Sequence, residues 1–171
     1  KRLSELSVGD KAYVRQTEIT DDQEQLVLGS LLGDACLDIV ESKRISKRYV
    51  NKGIRSRVRF RHGPKQYNYL MWKYKIMQPH AKTKPELKPS AGFTKSTASF
   101  GTTCNFWDIT KYTVINGIKT PHIEWLSRIN EFGLAVWFMD DGSTSSDSAR
   151  FHTEGFTLAE NEVIVKWLHG S

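Results

Sequence analysis

Cysteine is scarce in this chain: among 171 residues there are two, Cys36 and Cys104, and neither has a C-x-x-C partner. That excludes a disulfide framework and a cysteine-based zinc site, leaving two small thiols expected to be buried. Long apolar runs are missing too. No stretch approaches the roughly 20 apolar residues of a membrane span, and the polar segment Lys1 to Asp10 lacks the apolar centre of a signal peptide, so the protein is expected to be intracellular and soluble. The five histidines show no H-x-x-x-H spacing and are assigned to no site. Low-complexity sequence is absent, and an apolar content of 39% argues against disorder. The length allows one sizeable core or two small ones.

What the chain does have is positive charge in one place. Residues 41 to 75 hold twelve Lys or Arg against the single Glu41, a net of +11, so the other 136 residues sum to −5 within a total of +6. Such concentration suits a polyanion-binding surface, with nucleic acid as the evident polyanion. A membrane-surface patch would need an amphipathic helix with an apolar face, and none accompanies these charges. Within the segment, Ile54-Arg-Ser-Arg-Val-Arg-Phe-Arg61 alternates with period two. As a strand it puts Arg55, Arg57, Arg59 and Arg61 on one face and Ile54, Val58 and Phe60 on the other. Four like charges in a row repel one another, so phosphates or acidic groups are expected against them. The polar loop Glu41 to Lys52 would add Lys43, Arg44, Lys47, Arg48 and Lys52 to the same DNA-binding set.

Around this strand the pattern is mixed α+β. Thr20-Asp-Asp-Gln23 is a capping box, and the apolar run behind it predicts a helix over about Asp21 to Asp34. A short strand should precede the basic loop. Tyr67, Leu70, Met71, Tyr74 and Met77 mark an amphipathic helix from Pro64 to Met77 whose stripe belongs to a core. Pro79, Pro85 and Pro89 make 78 to 93 an extended loop, and one or two strands are expected over Thr94 to Phe106. A helix over Trp107 to Val114, a turn at Asn116-Gly117, a short helix at 121 to 129 and a second apolar helix over 131 to 141 follow. Gly142 stands at the position favoured for helix termination. Ala159 to Leu168 is helix-like.

The two apolar helices echo each other. Val27-Leu-Gly-Ser-Leu-Leu-Gly-Asp34-Ala35 and Leu134-Ala-Val-Trp-Phe-Met-Asp-Asp141-Gly142 each end in a carboxylate, 107 residues apart. An acid at a helix C-terminus faces the negative end of the macrodipole, where a cation is favoured by about 0.3 to 1 kcal/mol. Side by side, the two carboxylates would converge and repel unless a divalent cation neutralised them, and Mg2+ suits carboxylates, water and phosphate oxygens. Gly29-x-x-x-Gly33 bares one face of the first helix for close approach by the second, which offers Ala135 but also the bulkier Val136. Asp-Gly is in itself a turn signal, and an isolated helix-end acid is a common surface feature, so the argument rests on both motifs together.

Both segments resemble the motif of the LAGLIDADG homing endonucleases, the second in the variant Leu-Ala-x-Trp-Phe-Met-Asp-Asp-Gly of single-chain members. The resemblance implies two αββαββα repeats related by pseudo-twofold symmetry, with curved antiparallel sheets that bind DNA and motif helices at the interface. It implies catalytic Asp34, Asp141 and Lys119, the last in Gly117-Ile-Lys-Thr-Pro121, where a basic residue borders the site to polarise water or stabilise charge. Read as a turn, Lys119 is equally an ordinary surface lysine. The implied metal set is Asp34, Asp141, Ala35 and Asp140, with Ala35 standing where the motif ends in Gly and Asp140 one position ahead of the matching acid. Mg2+ or Mn2+ is the implied cofactor, and double-stranded DNA with a long recognition site the implied partner.

On this reading residues 1 to 19 form an N-terminal extension, 20 to 120 the first repeat and 121 to 171 the start of an incomplete second one. The molecule is then a pseudo-twofold monomer, or acts as paired copies. Leu3-Ser-Glu-Leu-Ser-Val-Gly-Asp-Lys11 is similar to the strand that precedes the endonuclease insert of inteins, although the splicing nucleophile and terminal His-Asn pair do not accompany it. A non-cleaving nucleic-acid-binding protein of the same fold, an intron maturase or a DNA-binding regulator, is the alternative.

Overall fold

The computed structural model describes residues 19 to 41, 54 to 89, 96 to 103 and 106 to 170. Helix α1 (Asp21–Leu32) begins at the expected capping box. The Thr20 Oγ1 accepts from the Gln23 backbone N–H at 3.3 Å, and the Gln23 side chain accepts from the Thr20 N–H at 3.1 Å. Gln25 through Leu32 are all buried, as expected of a helix that is apolar on every side and packed on every side. Its two buried glutamines tie it into the fold: Gln23 donates to the carbonyls of Ile76 and Gln78, and Gln25 donates to Arg128 O and accepts from Asn130 N–H. The helix stops at Leu32, two residues before the predicted end, so Asp34 sits in the turn beyond it.

Strands β1 (Cys36–Glu41) and β2 (Ile54–His62) follow, then a 3-10 turn at Pro64–Gln66 and helix α2 (Tyr67–Ile76). The 78 to 93 segment, expected to be loop throughout, contributes a short strand β3 (Lys88–Pro89), and β4 (Ser96–Gly101) completes an antiparallel sheet of order β1-β2-β4-β3. Register pairs Cys36 with Arg59, Asp38 with Arg57, and Arg61 with Ser99. The alternation in β2 is observed: Ser56, Val58, Phe60 and His62 are buried, whereas Arg57 and Arg61 are exposed and Arg59 is half-buried. The inner face packs on the helices. Phe60 stacks on Phe100 at 4.8 Å between ring centroids, and Val58, Leu70, Leu28 and Leu31 join the same core. Each such buried side chain stabilises the fold by about 1.5 to 3 kcal/mol. Cys36, expected to be buried, is exposed because the outward phase of β1 carries it.

Helix α3 (Trp107–Thr113) closes the order α-β-β-α-β-β-α. A tight hairpin, β5 (Val114–Ile115) and β6 (Ile118–Lys119), turns at Asn116 and Gly117 with φ of 52° and 82°, the pair of positive values that an Asn-Gly hairpin turn requires. The helix expected over 121 to 129 is only α4 (Ile123–Leu126), with Trp125 and Leu126 fully buried. Helix α5 (Glu131–Asp141) has the predicted bounds, with the Asn130 side chain accepting from Gly133 N–H at its start. Hairpin β7 (Gly142–Ser145) and β8 (Ser148–Phe151) and helix α6 (Leu158–Gly170) repeat the order α-β-β-α. Gly142 does end α5, but in extended backbone (φ −96°, ψ 157°) rather than the left-handed form. Glycine is needed there because a Cβ would lie 2.3 Å from both the Phe138 ring and its carbonyl oxygen. Among the described residues no helix is long and apolar enough to cross a membrane.

Candidate metal centre and nucleic-acid interface

Helices α1 and α5 pack side by side and run the same way. A Cβ at Gly29 would sit 2.1 Å from Gly133 O, and one at Gly33 2.4 Å from Asp140 Cβ. The close approach is thus between Gly29 and Gly133, with Val136 buried beside them, while Ala135, the smaller of the two residues the second helix offered, is exposed. Because both helices run in the same direction, their C-terminal ends lie together and present two negative dipole ends at one place.

Three acids gather there. Asp34 is exposed in the turn after α1, and Asp141, half-buried, is the last residue of α5. Burial holds the Asp141 carboxyl above the usual range, and repulsion from Asp34 and Asp140 raises it further, against the opposing pull of Lys119 and His152. Asp140 turns inward, its side chain fully buried. It crosses over Gly33, where a side chain would block it, to meet Lys73 of α2 at 2.5 Å. Lys73, equally buried, also donates to Ser30 Oγ at 2.9 Å and lies 4.5 Å from the centroid of the Tyr69 ring. Burial lowers the Lys73 pKa and the Asp140 charge pulls it back up. The Tyr69 hydroxyl, desolvated and facing Asp140, is held far above its ordinary pKa.

Sequence reasoning missed His62. It ends β2 with Nδ1 3.4 Å from Asp34 Oδ2 and Nε2 3.9 Å from Asp140 Oδ1. Asp34, His62 and Asp140 each offer a ligand atom within 4.8 Å of the others. The signal was available, since His62 continues the inward phase of Ser56, Val58 and Phe60. Lys73 could have been found likewise, from its place between Leu70 and Met77 on the stripe of α2. Two buried atoms of the cluster, His62 Nε2 and Asp140 Oδ2, have no hydrogen-bond partner among the described residues, as expected of groups that await a ligand or a charge. The carboxylate oxygens suit Mg2+ or Mn2+, whereas an imidazole is a donor for softer transition metals, so His62 fits such a site as a neighbour of the acids rather than as a ligand.

Lys119 is not a loose surface lysine. Its ammonium donates to the carbonyls of Leu31, Gly33 and Ala35 at 2.8, 3.4 and 2.9 Å, capping the C-terminal end of α1. Burial lowers its pKa, while Cys36, Asp141, Asp34 and Asp140 act to raise it. Ala35 is buried, and its carbonyl, the one metal-binding group it could offer, already accepts from Lys119.

The outer face of the four-stranded sheet is polar. Arg57 and Arg61 are exposed there, whereas Arg59 is held to Asp38 at 2.8 Å. Register places Ser99 beside Arg61 and Thr97 beside Lys88, residues that the sequence did not single out. Arg55 stands opposite Val40 in the register of β2 and β1. Lys43, Arg44, Lys47, Arg48 and Lys52 lie outside the described residues, as does nearly all of the N-terminal extension.

Comparison with known proteins bears on the family and the fold. The model of the LAGLIDADG DNA endonuclease family matches residues 24 to 171. A protein named RecA from Mycobacterium shimoidei is 32% identical over 143 residues, which is 81% of this chain and 30% of that protein. A probable intron-encoded DNA endonuclease 3 of Mycosarcoma maydis is 35% identical over 68 residues, 37% of this chain and 49% of that protein. The chain spans about a third of the length of the RecA-named relatives it matches. Among solved structures, the homing endonuclease I-WcaI bound to its DNA recognition sequence superposes with a TM-score of 0.74 at 21% identity, over 91% of this chain and 70% of that one. I-DmoI in complex with DNA and Mn does so at 0.50 and 12% identity, over 88% and 77%.

Proposed function

We propose, since the chain belongs to the LAGLIDADG DNA endonuclease family, that it is a site-specific endonuclease hydrolysing both strands of a long double-stranded DNA site. One observation carries the reading: Asp34 and Asp141 stand where two glycine-packed helices end side by side, and the charge of Asp34 raises the cost of ionising Asp141. Such an arrangement is tolerable mainly when a cation shares it. Asp34 and Asp141 would hold Mg2+ or Mn2+, with Asp140 as their buried companion. Bound there, a divalent cation supplies a more acidic water and neutralises charge on the scissile phosphate. Mn in the I-DmoI complex supports that choice of metal.

The protein's own residues do the rest. Lys119, with three carbonyl acceptors for its three N–H groups, serves as a fixed positive charge beside the acids rather than as a water-polarising donor. Arg57 and Arg61, with Lys88 and the Ser99 and Thr97 hydroxyls, offer a polar face for phosphates and bases, and Lys43, Arg44, Lys47, Arg48 and Lys52, between β1 and β2 in the sequence, would add positive charge for phosphates. Residues 20 to 120 and 121 to 171 act as the two repeats of a pseudo-twofold monomer, or in paired copies. An origin as an insert within a longer protein fits both the intein-like segment Leu3 to Lys11 and the share of the RecA-named relatives that aligns.

The test is selection of cleaved sites from a randomised plasmid library with Mg2+ or Mn2+, and again with EDTA. Linear product that depends on metal is expected. A protein that binds DNA tightly yet leaves every site intact with either metal is instead the maturase or DNA-binding regulator of the alternative reading.

A further inference from the structure

The endonuclease reading uses Asp34 and Asp141 and leaves His62 without a task. Its ring is buried, its side chain only 1% exposed, yet it faces charge on two sides. Nδ1 lies 3.2 Å from Gln66 Oε1 and 3.4 Å from Asp34 Oδ2, while Nε2 looks at Asp140 and has no hydrogen-bond partner among the described residues. The ring is fixed from behind. The Tyr69 ring lies 5.2 Å away, and Asp140 is itself pinned by Lys73, which Ser30 holds in turn. Asp34 has none of this support from its own element, since it sits in a turn beyond the last residue of α1 with a side chain 42% exposed. Its carboxylate can rotate unless something restrains it.

We propose that His62 is the positioning residue for Asp34: a proton on Nδ1, shared between Gln66 Oε1 and Asp34 Oδ2, lets the locked imidazole restrain the Asp34 carboxylate on the side of Asp141. The inference rests on the endonuclease reading and adds an asymmetry to it. The histidine nearest Asp141, His152, is exposed, and its ring engages Ser143 and Glu154 instead. The two half-sites are therefore supported unequally, and weakening the first should let singly nicked DNA accumulate.

Two substitutions separate positioning from packing. His62→Asn puts an amide N–H near the Nδ1 position; His62→Gln fills more of the volume but directs its amide toward the Nε2 position. Mn2+ binding is read from the loss of the free-ion signal by electron paramagnetic resonance, without DNA, and cleavage from a plasmid bearing a selected site. His62→Gln should raise the half-saturating Mn2+ concentration about tenfold, the lower end of what loss of a supporting partner does to a metal site, and should accumulate nicked circles. His62→Asn should stay within about threefold of the native protein on both measures. A His62→Gln protein indistinguishable from the native one, or two variants equally impaired, overturns the positioning role. If the native protein neither takes up Mn2+ nor cuts, the endonuclease reading itself has failed and the inference falls with it.

Discussion

Replacing Lys73 by Met asks whether charge, rather than the bulk of a side chain, joins α2 to α5. The Lys73 and Asp140 side chains are both fully buried and 2.5 Å apart. Methionine keeps most of the aliphatic stem but leaves the Asp140 carboxylate, one of whose oxygens already has no partner among the described residues, with no ammonium beside it. Removing one member of a buried pair costs about 3 to 5 kcal/mol, because the remaining charge stays desolvated. For a chain of this size each kcal/mol lowers Tm by roughly 2 to 4 °C, so a fall of about 6 to 20 °C is expected. Thermal and urea unfolding in EDTA at fixed ionic strength measure it, with an unchanged urea slope confirming that the comparison is of folded states. Adding Asp140→Asn to Lys73→Met removes the stranded charge and should recover more than half of the loss. Loss below about 1 kcal/mol in the single variant, or a double variant no better than the single, would refute the argument, since an uncompensated buried charge could then not be the source of the cost.

Gly29→Ala should destabilise by well over the 1 to 3 kcal/mol that is about usual for overpacking, because its Cβ would meet Gly133 backbone at 2.1 Å. Gly63→Ala, with nothing within 4 Å and an ordinary φ of −76°, is the neutral control in the same unfolding assay. Asp141→Asn should abolish plasmid cleavage while sparing binding in a mobility-shift assay. It should also raise Tm in EDTA at neutral pH. The folded-state pKa of Asp141 is raised, so its ionised form weakens the fold above that pKa, and the gain from Asn should vanish as pH falls through it. Arg57→Ala and Arg61→Ala should each weaken DNA binding and flatten its salt dependence by about one unit of log K per log salt for each phosphate no longer neutralised. Arg59→Ala should do less, as Asp38 already shares that charge, and binding that ignores salt in the native protein would contradict the phosphate account.

The local features of this protein were legible in its sequence because each is decided by neighbours in the chain. The capping box set the start of α1, Asn116-Gly117 set a hairpin, the alternation of Ile54 to Arg61 set the faces of β2, and the paired motifs identified both helices and their acids. The same alternation, carried one step further, would have put His62 inside. What tertiary structure alone decided is how groups far apart in sequence share one small volume. Gly33 leaves room for Asp140, 107 residues later, to reach Lys73 and His62, and Lys119 closes the end of α1 from a hairpin 84 to 88 residues away. The physical reason is that a buried charge is tolerated only where partners from other elements surround it, and periodicity within one element carries no record of those partners. Two aspartates ending two helices could be read from the chain; that one neighbouring acid is an internal strut and one histidine its companion followed only from packing.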